Sequence, residues 1–154
     1  MGTPDSAMVV SIIINNYNYG RYLREAIDSA LGQTYDAVEV IVVDDGSTDD
    51  SQAVIQAYGE SIRPLFQRNM GQAAAFNLGF ACSTGDAIIF LDADDVLLPE
   101  MAAKVVEALG QQPHAAKVMV RMAVINDEGR PTGEEKPAGH LPLMDGDLRR
   151  HIVA

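Results

Sequence analysis

Short apolar segments alternate with segments of helical periodicity along most of the chain. A continuous apolar run of four to eight residues indicates a buried strand, whereas apolar residues three and four positions apart indicate a helix with one buried face. The pattern predicts strands over residues 9–14, 38–43, 62–67, 87–91 and 116–125. It predicts helices over residues 22–31, 47–58, 71–81 and 99–109. This alternation is typical of an α/β domain with a mostly parallel, doubly wound sheet.

The pattern fades after Pro131, where prolines and glycines interrupt a polar stretch. Such a stretch is a functional loop, a linker or an interrupted element. We favour the third, with Asp147–Ala154 as the start of a helix. We therefore expect one domain over residues 1–130, followed over residues 131–154 by a linker and the start of a truncated region. Truncation predicts an exposed apolar surface through which the chain could form a homo-oligomer.

The chain is strongly acidic, with 22 Asp plus Glu against 11 Lys plus Arg and a net charge of −11. Binding to nucleic acid or through a polybasic membrane patch requires a local excess of positive charge, so both are disfavoured. The single cysteine, Cys82, excludes an internal disulfide and a cysteine-rich zinc site. It favours a reduced compartment, and no segment approaches the ~20 apolar residues of a membrane helix. We expect a soluble, cytoplasmic chain.

The most informative feature is the apolar run 88–91, which ends in the carboxylates of Asp92, Asp94 and Asp95. A short apolar run with such an end indicates a buried parallel strand that opens onto a cleft. Three carboxylates so close repel one another unless a cation lies among them, and Mg²⁺ and Mn²⁺ prefer oxygen ligands. The sequence therefore predicts a divalent metal site after the fourth strand.

Four loops follow the carboxyl ends of predicted strands, at residues 15–19, 44–47, 68–71 and 92–95. Ligands of open α/β sheets bind at these ends. Neither Gly-x-Gly-x-x-Gly nor Gly-x-x-x-x-Gly-Lys-Ser/Thr occurs there, which disfavours dinucleotide dehydrogenases and P-loop enzymes. What remains is a carboxylate-rich nucleotide site in which a metal holds the diphosphate.

Several motifs in the same order resemble the GT-A-fold glycosyltransferases, and within them the inverting family 2. In chain order, the first two motifs are residues 10–14 followed by Tyr17-Asn18, and residues 43–49. The later ones are Arg68-Asn69 followed by Gly71, Asn77 followed by Gly79, the pair Gly85-Asp86, and residues 91–95. The resemblance implies a Rossmann-like, three-layer α/β/α fold. It also implies Mg²⁺- or Mn²⁺-assisted transfer of a sugar from a UDP-linked donor to an acceptor hydroxyl, with inversion. The acceptor stays open among a glycan, a lipid-linked saccharide and a small molecule.

The resemblance also implies roles for individual residues. Asp45 would accept a hydrogen bond from the uracil N3–H. Asp92 would lie near the ribose and Asp94 would bind the metal that bridges the diphosphate, so these two are the candidate metal ligands. The other candidate donor-binding residues are Asn15, Tyr17, Asp44, Arg68, Gly71 and Ala93.

The general base that inversion requires is not evident in the sequence. No carboxylate after Asp95 lies in a recognisable base motif, and the acids at 127–128 and 134–135 are typical of turns and loops. We expect the base beyond residue 154. A nucleotide-sugar-binding module without turnover therefore stays an alternative. Structural readings also compete at single positions: Asp49 as a helix cap, Gly71 as a turn and Gly79 as a packing site.

Overall fold

The computed structural model describes residues 7–137, in two compact units, Met1–Gln112 and Pro113–Ala154. The first unit contains the strands β1 (Val10–Asn16), β2 (Val38–Asp44), β3 (Arg63–Phe66) and β4 (Ala87–Asp92). Its helices are α1 (Gly20–Leu31), α2 (Ser51–Gln56), α3 (Gln72–Cys82) and α4 (Met101–Gln111). A single 3-10 turn at Gly59–Ser61 precedes β3.

All four strands pair in parallel in the order β3-β2-β1-β4. Ile13 in β1 pairs with Ile41 in β2 on one side and with Phe90 in β4 on the other. The predicted parallel α/β sheet is therefore confirmed.

The central strands are buried on both faces, so they are almost continuously apolar rather than alternating. Ile12 and Ile14 pack with residues of α1, α2 and α4 on one face, whereas Ile13 packs with Ala75 of α3 on the other. A Cβ atom added to Gly79 would overlap the side chain of Ile13, so the glycine lets α3 approach the sheet. The unit therefore has three layers, and Gly79 is a packing site.

The second unit corrects the sequence prediction of a fifth parallel strand over residues 116–125. Its strands β5 (Met122–Ile125) and β6 (Pro131–Lys136) form a separate antiparallel hairpin. Asn126 and Gly129 close the turn, where the Asn126 N–H donates to the Arg130 carbonyl at 2.9 Å and Gly129 has φ +74°. β6 was missed because all six of its residues are exposed, so it has no apolar periodicity.

The first unit ends at Gln112. The assignment of residues 1–130 to donor binding stays a prediction. The helix predicted to start at Asp147 lies outside the described residues. No helix within residues 7–137 is both long and apolar enough to cross a membrane.

Candidate functional site

Polar side chains collect at one edge of the sheet, where β1 ends at Asn16, β2 at Asp44 and β4 at Asp92. The chain leaves β1 for β2 and β3 on one side, then returns to place β4 on the other side of β1. Ligands of open α/β sheets bind at such a reversal of strand order. The predicted acids of β2 and β4 thus flank β1 at the edge where a ligand is expected.

Asp44 is completely buried and shapes the turn that follows β2. One carboxylate oxygen accepts a hydrogen bond from Asn16 Nδ2 at 2.9 Å, and the other accepts one from the Ser47 N–H at 3.1 Å. Asn16 is itself 1% exposed, and its Oδ1 atom has no donor among the described residues. A direct contact between Asp44 and a nucleotide stays a prediction, because both of its oxygens already serve the fold.

Asp45 is only 3% exposed and holds the loop that leads into α3. Its Oδ1 accepts from Gln67 Nε2 at 2.7 Å and from the Met70 N–H at 2.8 Å, while its Oδ2 accepts from the Gly71 N–H at 2.8 Å. Burial by itself raises the pKa of this carboxyl, but the three hydrogen bonds outweigh it and hold the pKa below its usual value. The carboxylate is therefore ionised and anchored from within the protein.

The predicted hydrogen bond from a uracil N3–H to Asp45 depends on how many further hydrogen bonds this carboxylate can accept. A carboxylate oxygen accepts about two hydrogen bonds. Oδ1 already has two donors, whereas Oδ2 has one, the Gly71 N–H. Oδ2 is therefore the atom that would meet a base, and the contact stays a prediction.

The loops after β1 and β2 are joined by a compact set of hydrogen bonds. Asn18, at φ +58°, accepts from the Thr48 N–H at 2.7 Å through its side-chain oxygen. Asp49 accepts from the Gly20 N–H at 2.9 Å and from the Ser51 N–H at 3.0 Å, at the first residues of α1 and α2. Burial raises the pKa of Asp49, but these bonds outweigh it and lower the pKa. The capping role predicted for Asp49 is confirmed, and it extends to two helices.

Asp92, the last residue of β4, is half-buried and is held by two side-chain amides. Asn15 Nδ2 lies 2.6 Å from Asp92 Oδ1, and Gln72 Nε2 lies 2.7 Å from the same oxygen. Asn15 and Asp92 are direct partners in the register of β1 and β4. The structure therefore brings together Asn15 and Asp92, which were both predicted site residues, and adds Gln72.

A tight turn after Asp92 separates the acids of the Asp-x-Asp segment. The Asp95 N–H donates to the Asp92 carbonyl at 3.0 Å. Ala93 is buried in the core, whereas Asp94 is exposed. A donor contact by Ala93 would therefore use its backbone, and Asp94 is the acid that faces solvent.

The acids at the end of β4 fit a divalent cation in one way only. Within residues 7–137, no three His, Cys, Asp or Glu side chains converge as a metal cage. Asp92 and Asp94 remain as a pair. Mg²⁺ is commonly held by one or two carboxylates together with substrate phosphates rather than by an all-protein cage. The pair fits that pattern, in which the ligand supplies the remaining oxygens.

The remaining predicted residues surround this edge. Tyr17 is exposed after β1, and Arg68 is exposed between β3 and α3. Gly71 adopts φ +88° directly before α3, which supports its reading as a turn residue. Sequence reasoning missed Asn16, Gln67 and Gln72, although all three lie in or beside the four loops that it singled out.

A surface cavity of about 480 Å³ lies at the opposite, amino-terminal end of β2 and β3. Its lining includes Tyr35, Glu39 and Arg63 but none of the predicted site residues. Glu39 accepts hydrogen bonds there from Ser11 and from the Thr84 N–H, both at 2.5 Å. These bonds join the start of β2 to the loop before β4, which gives Glu39 a structural role.

Comparison with known proteins agrees with this geometry. The model of glycosyl transferase family 2 matches residues 11–151. The chain belongs to glycosyltransferase family 2. It is 43% identical over 150 residues to an uncharacterised glycosyltransferase of Nostoc sp., covering 95% of this chain and 46% of that relative. This family 2 chain spans less than half the length of the curated relatives it matches.

Solved structures share the fold of this family 2 chain. Residues 1–349 of S. aureus TarS, in complex with UDP-GlcNAc, match with a TM-score of 0.62 at 24% identity, over 69% of this chain and 32% of that one. The mannosyltransferase PcManGT of Pyrobaculum calidifontis, in complex with GDP-Man and Mn²⁺, matches with a TM-score of 0.60 at 24% identity, over 81% and 37%. The predicted GT-A fold is confirmed.

Proposed function

We propose that this chain binds a nucleotide-diphospho-sugar at the carboxyl ends of β1, β2 and β4, and serves metal-assisted sugar transfer with inversion. The observation that carries the proposal is how Asp92 is hydrogen-bonded at the point where the strand order reverses. One of its oxygens is held by Asn15 and Gln72, and the turn that follows leaves Asp94 exposed beside it. These two carboxylates are suited to share a cation with a diphosphate.

The residues of the site divide the work of binding such a donor. Asp92 and Asp94 would hold Mg²⁺ or Mn²⁺, which when bound would neutralise the negative charge that builds on the departing diphosphate. Asp45 would accept from the base through Oδ2, and Asn15 and Tyr17 would border the base. Arg68, a cation on the loop before α3, would meet the diphosphate or the base.

The donor class has further support from the structural neighbours. TarS was solved with UDP-GlcNAc, and PcManGT with GDP-Man and Mn²⁺. Both ligands are nucleotide-diphospho-sugars, although their bases differ. Our choice of a UDP-linked donor follows the family resemblance. Asp45 supports uracil over cytosine, because N3 of uracil carries a hydrogen to donate and N3 of cytosine does not.

The proposal also assigns the acceptor-binding region and the general base. We assign residues 1–130 to the donor half and residues 131–154 to the start of an acceptor-binding region, with the general base beyond residue 154. The acids Asp127, Glu128, Glu134 and Glu135 lie in or beside the β5–β6 hairpin of the second unit. The proposed acceptor group is a hydroxyl. The proposed location is the cytoplasm, because the single cysteine, Cys82, favours a reduced compartment.

Calorimetric titration of the full chain with UDP, with and without Mn²⁺, tests the proposal. We expect binding that Mn²⁺ strengthens, and Asp94→Ala should weaken Mn²⁺-dependent binding by more than about 100-fold, beyond the 10–100-fold typical of losing an outer-shell partner. Asp36→Ala, at an exposed acid before β2, is the matched control and should bind as the parent does. The metal assignment is contradicted if the affinity for UDP is the same with and without Mn²⁺, or if Asp94→Ala leaves Mn²⁺-dependent binding unchanged.

A nucleotide-sugar-binding module without turnover is the second candidate. It is favoured by the carboxylates after Asp95, none of which lies in a recognisable base motif. Both candidates bind UDP with Mn²⁺, so binding does not separate them. Release of UDP from a UDP-sugar in the presence of the chain supports the transferase, and binding without release supports the module.

A further inference from the structure

Two neutral amides from different elements converge on a single oxygen of Asp92. Asn15 belongs to β1, and Gln72 is the first residue of α3. They lie 77 and 20 residues from Asp92 in the sequence, and their amide nitrogens are 2.6 and 2.7 Å from its Oδ1. Since one carboxylate oxygen accepts about two hydrogen bonds, Oδ1 is fully used.

We propose that Asn15 and Gln72 are positioning residues, which fix the carboxylate of Asp92 so that Oδ2 is presented to the cation. The inference rests on the proposed function. Rotation of an unrestrained carboxylate about its terminal torsion is broad. Two donors on one oxygen remove that freedom before the ligand arrives, and this lowers the ordering cost of binding.

The chemistry of the two donors suits a cation site. Both are uncharged amides, so they orient the carboxylate and leave its negative charge for the cation. A lysine or arginine in either place would cancel that charge. Hydrogen bonds to an ionised acceptor are also stronger than neutral ones, which makes two amides sufficient to hold the group.

Burial does not require these hydrogen bonds, and this separates them from the bonds to Asp45. Gln72 is exposed and Asp92 is only half-buried, so water could satisfy both groups. Asp45, at 3% exposure, has no such alternative. A contact that the fold does not need, on the acid at the reversal of strand order, indicates orientation for a ligand.

The start of α3 also connects the two acidic loops. The Gly71 N–H donates to Asp45 Oδ2, and the side chain of the next residue, Gln72, donates to Asp92 Oδ1. Asp45 thereby fixes the backbone from which Gln72 reaches Asp92. The proposed base contact and the proposed metal ligand are thus held by consecutive residues.

The test is a Mn²⁺ titration of the full chain at saturating UDP, with Asn15→Leu, Gln72→Met and the double variant. Each single change should weaken Mn²⁺ binding about 10-fold, and the double change by no more than about 100-fold. UDP binding without metal should change less than about twofold in Gln72→Met, because this amide acts through Asp92. Gln52→Met, at an exposed glutamine of α2, is the control and should match the parent.

Each outcome decides between the inference and its alternatives. Parental Mn²⁺ affinity in the double variant overturns the inference while leaving the proposed function intact. An equal loss of metal-free UDP binding in Gln72→Met also overturns it, because this amide then contacts the nucleotide or supports the fold. A parent chain that binds neither UDP nor Mn²⁺ refutes the proposed function, and the inference with it. Gln72→Met changes an exposed side chain, so it keeps the test valid if Asn15→Leu fails to fold.

Discussion

The acids that follow β2 and those that follow β4 differ in how far the protein already uses them. Asp44 and Asp45 are 0% and 3% exposed, and each of their four oxygens accepts a hydrogen bond. Asp92 is half-buried with both of its described hydrogen bonds on one oxygen, and Asp94 is exposed. The same residue type at the same edge of the sheet therefore occurs in two different states.

This difference shows how one edge of a sheet can be both rigid and reactive. A buried carboxylate must be paired, so the acids of β2 bind backbone and side-chain donors and fix the loops around the cleft. The acids of β4 keep unpaired capacity at the surface, where a cation and a diphosphate could use it. Acidic residues at the end of a strand can therefore have different roles, which depend on how many hydrogen-bond donors of the protein they already bind.

The largest expected effect is a loss of stability on changing Asp45 to alanine. This substitution removes the charged acceptor of the Met70 and Gly71 N–H groups and of Gln67, and a hydrogen bond to a charged group contributes about 1.5–3 kcal/mol. We expect the free energy of unfolding to fall by about 3 kcal/mol, measured by urea denaturation.

Asp94→Ala is the matched control for that measurement. The residue is exposed, and its loss should leave the urea midpoint unchanged while abolishing the Mn²⁺ effect on UDP binding. Equal losses of stability in Asp45→Ala and Asp94→Ala would remove the distinction between the two pairs of acids.

A smaller effect is expected at Gly46, which follows Asp45. Its φ of +77° is unfavourable for other residues, and an added Cβ would lie 2.8 Å from the Asn69 backbone nitrogen. We expect Gly46→Ala to cost about 2 kcal/mol from the left-handed backbone together with the clash. Gly59 has φ +54° and open space around it, so Gly59→Ala should cost about 1 kcal/mol in the same urea measurement. Equal costs would show that the loop after β2 is not tightly packed.

The fold was predictable from the sequence where burial imposes a pattern. The strands β1, β2 and β4 lie within one or two residues of their predicted bounds. Both faces of β1 and β2 are buried, and β4 is also a continuous apolar run. Helix α2 was predicted from residue 47 but begins at Ser51, since Ser47, Thr48 and Asp49 form hydrogen bonds with Asn18 in the loop after β1. Hairpin strands with exposed side chains pair through their backbones and leave no such pattern.

The acids of the candidate site could be predicted from the sequence, but the residues that donate hydrogen bonds to them could not. A change from apolar residues to carboxylates marks Asp92 and Asp94 in the sequence alone. The donors Asn15 and Gln72 depend on strand order, since β4 pairs with β1 across 77 residues of sequence. A periodic pattern carries no information on that pairing, so Gln72 was missed.

The smallest expected effect is on how the free energy of unfolding falls at acid pH. The pKa of Asp45 is lowered in the folded chain from its ordinary value of 3.8, because its hydrogen bonds outweigh burial. A lowered pKa stabilises the fold fully above the unfolded value, and this contribution is lost as the pH falls through the folded value. In urea denaturation measured from pH 6 downward, the parent should therefore lose stability below about pH 4 more steeply than Asp45→Asn. Asp49→Asn should flatten this fall similarly, since the pKa of Asp49 is also lowered; an Asp45→Asn curve parallel to the parent would show that Asp45 is not anchored as described.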